Sequence, residues 1–151
     1  MLKKLFTVSI LFFLTACSRE VTNYPNAKYK ITDKEVKKYI LELNNREQCI
    51  YPQLAELSYE EAEAQVYSKQ SDAEKKTWDY MSNRLLSEII GDNYAFLEQD
   101  EDSANYFIEK HNRLNNQKAK VDPKACALFK EDFESFLEGA RGCGCGCGCS
   151  K

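Results

Sequence analysis

Between Thr32 and Ala140 the chain contains almost nothing that stops a helix. Pro stands there only at 52 and 123, and Gly only at 91 and 139. Elsewhere apolar residues return every three or four positions, the period of one helix face. The alternation that a half-buried strand needs never persists for more than a few residues. The spacing therefore predicts helices almost throughout.

The first helix is expected from Thr32 or Asp33, where "TDKE" has the form of a capping box with Glu35 three residues after Thr32. Val36, Ile40, Leu43 and Ile50 carry its stripe. Pro52 breaks or kinks it, and a short segment follows with Leu54, Leu57, Ala62 and Val66 as its stripe. Ser71 to Glu74 is a second capping box. It heads a long helix with Trp78, Met81, Leu85 and Ile89 on one face and Leu86 and Ile90 beside them. Gly91 bends or ends this helix, and "NYAFLEQ" continues it by a turn. Asp100, Glu101 and Asp102 place negative charge where a helix N-terminus favours it, ahead of Ala104, Phe107, His111 and Leu114. The last helix opens with Asp122 as cap and Pro123 at its first position. It carries Cys126, Phe129, Phe133, Phe136, Leu137 and Ala140, and Gly139 and Gly142 end it. Four main helices with short connections imply an all-α, up-down bundle, with a fifth, short helix after the Pro52 break.

The chain's start carries an address. Lys3 and Lys4 precede an apolar run, Leu5 to Leu14, and small residues follow, which is the pattern of a secretory signal. The run is shorter than the ~20 residues that a membrane-spanning helix needs. Its end, "LTAC" (Leu14 to Cys17), resembles a bacterial lipobox. The resemblance covers about the first 18 residues. It implies that Cys17 receives a diacylglyceryl thioether, becomes the mature N-terminus and is then N-acylated. Ser18, rather than Asp, after that cysteine resembles the pattern of lipoproteins sorted to the outer membrane. Several buried acyl chains hold a protein stably where one does not. The expected organisation is a signal peptide over 1–16, a lipidated N-terminus and polar tether over 17–31, a helical domain over 32–141 and a Gly-Cys tail over 142–151. No family is recognised for the body.

Charge and cysteine count narrow the function. The formal charge of −3 becomes −5 once Lys3 and Lys4 leave with the signal. That acidity argues against nucleic acid or an anionic lipid surface as the main partner. Of the seven cysteines, Cys17 goes to the lipid and Cys49 and Cys126 lie in the body. In an up-down bundle the end of helix one and the start of the last helix share an end, so Cys49 and Cys126 are expected to form a disulfide in an oxidising compartment. The other four, Cys143, Cys145, Cys147 and Cys149, alternate with Gly in the tail. Three readings of this tail stand. Four thiols form a soft donor set for Cu(I) or Zn(II); closely spaced thiols exchange disulfides; and a strict dipeptide repeat is low complexity with no specific job.

Nothing points to an enzyme. The lone His111 lies on an apolar stripe, where a packed imidazole with one satisfied nitrogen is the ordinary case, and no nucleophile elbow, HExxH, P-loop or GxGxxG occurs. "EQDEDS" (Glu98 to Ser103) lacks the central Gly of a calcium loop. Tyr24, Tyr29, Tyr51, Tyr59, Tyr67 and Tyr94 offer an amphipathic surface or edge the core. The chain reads as an envelope lipoprotein whose helical domain faces the periplasm and binds an envelope partner. The alternatives are a soft-metal-handling lipoprotein and an inhibitor or immunity-type lipoprotein.

Overall fold

The computed structural model describes residues 24–115 and 120–142. Six α-helices make up most of them: α1 (Asp33–Ile50), α2 (Tyr59–Gln65), α3 (Asp72–Ile90), α4 (Tyr94–Gln99), α5 (Glu101–Leu114) and α6 (Pro123–Gly142). Among the described residues there is no strand. The protein is an all-α bundle of four main helices, α1, α3, α5 and α6. The fifth, short helix expected after Pro52 is α2.

Local chemistry sets the boundaries. Thr32 and Ser71 close the capping boxes read from the sequence, and Ser58 with Glu61 closes a third at the head of α2. Asp100 caps α5 by accepting from the Ser103 N–H. Gly91 ends α3 at a positive φ of 57°, a region open to Gly without a Cβ penalty. The stretch "NYAFLEQ" is consequently a separate helix, α4, and not a further turn of α3. Gly139 does not stop α6, which runs on to Gly142.

The apolar stripes meet in two clusters. Ile31, Val36, Tyr39 and Ile40 pack with Leu85, Leu86 and Ile90. Trp78, Met81, Phe133 and Leu137 form the second cluster, and Leu43 touches both. The start of α1 thus meets the end of α3, while Tyr51, just past α1, meets Trp78 near the start of α3. The two helices run antiparallel. Cys49 and Cys126 are disulfide-bonded with their Cα atoms 5.3 Å apart, joining the end of α1 to the start of α6 as the bundle topology requires.

Residues 24–31, read from the sequence as the end of a tether, belong to the folded body. Ile31 is fully buried beside Val36, the staple geometry of an apolar residue just before a helix cap. The Lys28 N–H donates to Asp100 Oδ2 at 3.1 Å and the Tyr29 N–H to Ser103 Oγ at 3.0 Å. Lys110 completes the seam. It is only 6% exposed, and its Nζ donates to the Ile31 carbonyl and to Asp33 Oδ1, both at 2.8 Å. The Tyr106 ring centroid lies 4.7 Å from the same nitrogen. The hydrogen bond from Lys110 holds the Asp33 carboxyl below its usual range. Polarity hid this segment from the sequence reading, because its contacts are backbone hydrogen bonds to a helix some seventy residues away.

Candidate functional site

Three helices contribute side chains four residues apart, and their rows enclose one cleft of about 270 Å³. Residues i and i+4 lie one above the other on a helix face. From α1 come Tyr39, Leu43 and Glu47; from α3, Trp78 and Ser82; from α5, Phe107 and His111. Asp79 and Ile108 stand at the rim, both exposed.

The walls are rings held from behind. Tyr39 meets Phe107 and His111 edge-on, with centroids 5.7 and 6.0 Å apart, and Phe107 and His111 lie 5.9 Å from each other. Trp78 rests on Phe133 at 5.0 Å and Phe129 at 5.9 Å, and its Nε1–H donates to the Tyr51 hydroxyl at 3.4 Å. Aromatic pairs at these separations are mutually attractive, so the wall is preformed.

Glu47 is the polar centre of the arrangement. The Tyr67 hydroxyl donates to its Oε2 at 3.1 Å. Among the described residues no lysine or arginine forms an ion pair with it. Burial raises its carboxyl above the usual range, against the pull of the Tyr67 hydrogen bond. Glu47 also borders a second cleft of about 400 Å³, between α1 and the segment from Leu54 to Tyr67, so one carboxylate faces two openings. On the opposite wall, burial lowers the His111 imidazole below its ordinary value, leaving it neutral at pH 7. Chemically the cleft offers aromatic rings, one half-buried acid, an uncharged imidazole and a hydroxyl.

His111 was expected as a packed residue on an apolar stripe. It does touch Phe107 and Tyr39 there, and it also lines the cleft. Cys49 and Cys126 are joined. Cys17, Cys143, Cys145, Cys147 and Cys149 lie outside the described residues. Among the described residues no group of three or more His, Cys, Asp or Glu is placed to hold a metal ion, and no helix is long and apolar enough to cross a membrane. Of the tyrosines, Tyr51 and Tyr67 serve as hydrogen-bonding struts, while Tyr59 stands 74% exposed. Asp100 works as the cap of α5, in keeping with the helix-terminus reading of the acidic patch. Glu47 and Lys110 were missed from sequence, although Leu43, Trp78, Phe107 and His111 of the cleft lining stand on the stripes read from it and Glu47 stands four residues after Leu43 at the same helical spacing.

A family model described as a family of unknown function (DUF5358) matches residues 21–143. No curated protein and no solved structure matches the chain.

Proposed function

The chain belongs to that family of unknown function, and from its own residues we propose that it is a lipid-anchored envelope lipoprotein whose helical body is a binding domain facing the periplasm. The Cys49–Cys126 disulfide carries this reading. Such a bond persists in oxidising compartments and is rare in the cytosol, which agrees with an export signal ending at a lipobox. The family match begins at residue 21, beyond Cys17, and ends at Cys143, so most of the Gly-Cys tail lies past the part of the chain that the family shares. That favours a function seated in the helical body. A preformed cleft with few, convergent polar groups is the form that binding sites take, and it is the feature of this body best suited to recognition.

Anchoring is tested by expressing the full chain in a bacterium fed an alkyne-bearing palmitate analogue. The expected result is labelled protein in the outer-membrane fraction, with the label lost in Cys17→Ser. Label retained by the Ser variant, or a wild-type chain that never takes label, would sink the proposal. Binding is tested by chemical cross-linking in the envelope before and after deletion of residues 142–151. Partners kept by the truncated chain place recognition on the body; partners lost with the tail overturn that assignment.

A further inference from the structure

The cleft between α1, α3 and α5 selects a ligand chemistry. Tyr39, Trp78 and Phe107 present aromatic surface, and ring faces carry a negative quadrupole that attracts cations. Glu47 lies in the same lining, half-buried and without a cationic partner among the described residues. A carboxylate partly shielded from water and given one hydroxyl donor gains from a positive group that answers it. The second acid of the lining, Asp79, adds charge of the same sign at the rim. No lysine or arginine contributes to the lining, and the imidazole of His111 is neutral at pH 7. At about 270 Å³, the space falls just under the ~300 Å³ at which pockets for drug-sized ligands begin. It suits a compact ion.

We propose that this cleft binds an organic cation with an apolar body, an alkyl- or quaternary ammonium group that sits among Tyr39, Trp78 and Phe107 with its charge toward Glu47. The inference goes beyond lipid anchoring and stands whether or not Cys17 is acylated. A lysine side chain of a basic protein presents the same chemistry as a free amine, so the two sources are separate arms of the test.

The chain has one tryptophan, and it is Trp78 in the cleft wall. Its fluorescence therefore reports occupancy of this site without a label. The full chain is titrated at pH 7 and constant ionic strength with choline, with 3,3-dimethyl-1-butanol as its neutral isostere, and with N-acetyl-lysine amide. A saturable change with either cation, at least about tenfold tighter than with the isostere, is expected from one charge-assisted contact. Choline the tighter of the two assigns the site to free quaternary amines. N-acetyl-lysine amide the tighter assigns it to a protein side chain. Glu47→Gln keeps the shape of the site and should weaken binding about tenfold or more. Phe107→Leu, with helicity checked by circular dichroism, should weaken it several-fold. The proposal is overturned if no cation gives a saturable change up to about 100 mM, if the isostere binds as well as choline, or if Glu47→Gln binds as tightly as the unaltered chain.

Discussion

Two ionisable residues, the buried Lys110 and the half-buried Glu47, are placed to opposite ends in this protein. Lys110 is satisfied: a carboxylate, a backbone carbonyl and a ring face all address its ammonium group. Removing it orphans the buried Ile31 carbonyl, while Asp33, half-exposed, regains water. Lys110→Met, which keeps the aliphatic stem, should therefore cost about 1–3 kcal/mol, read as a lower urea midpoint at unchanged slope. The exposed Arg84–Glu88 pair, both side chains 50% accessible, is the internal contrast: Arg84→Met should cost less than ~0.5 kcal/mol. Glu47 behaves in the reverse sense. Because burial raises its carboxyl in the fold, ionising it opposes folding; the penalty is present at neutral pH and disappears as pH falls through the raised value. Glu47→Gln still accepts the Tyr67 hydrogen bond and should melt higher than the unaltered chain at pH 7. Below about pH 4, where the free carboxyl is itself protonated, the difference should vanish. A thermal melt at both pH values decides this, and equal melting temperatures at pH 7 would remove the claim that Glu47 is held at a cost to stability.

At the scale of elements, most of what decides each helix was written locally. Capping boxes at Thr32 and Ser71, Pro123 at a first turn and the stripe Trp78–Met81–Leu85 are statements that a few consecutive residues make by themselves. The two glycines within the helical region show where local reading divides. Gly91 and Gly139 look alike in the sequence, yet one holds a backbone that L-residues rarely adopt and the other an ordinary helical turn with no atom within 4 Å of an added Cβ. Gly91→Ala should destabilise by about 1 kcal/mol, and Gly139→Ala should stabilise by about 0.5 kcal/mol; calorimetry on both variants tests the pair of signs. What was not legible is whatever depends on two distant elements at once. Glu47 reads as one more polar residue on α1 until Tyr67 and α5 close around it. Lys110 reads as a solvated edge of α5 until Ile31 arrives beneath it. Helix periodicity ranks residues by face, and both of these fall at stripe spacing, Glu47 between Leu43 and Ile50 and Lys110 between Phe107 and Leu114; a charged side chain there does not count toward the stripe, because the sequence does not show the partner that would satisfy it.

Taken whole, the bundle is cross-linked over a sequence separation of 77 residues. Closing a loop of that size restricts the unfolded chain by about 4 kcal/mol in the chain-entropy account. Reduction, or Cys49→Ser with Cys126→Ser, should lower stability by roughly that amount in urea denaturation; a loss under ~1 kcal/mol would show that the unfolded chain is already constrained near these residues. The seam that fixes residues 24–31 against α5 also acts as a measure of distance. Fifteen residues of free chain from 17 to 31 would let a domain range ~50 Å from its anchor, at about 3.5 Å per residue. With the chain held from Tyr24 onward, only seven peptide links separate that residue from Cys17, a reach of at most ~25 Å. Under the proposed anchoring, the face bearing Tyr24 and Tyr106 therefore works on a short leash, and whatever this protein meets it meets close to the membrane surface.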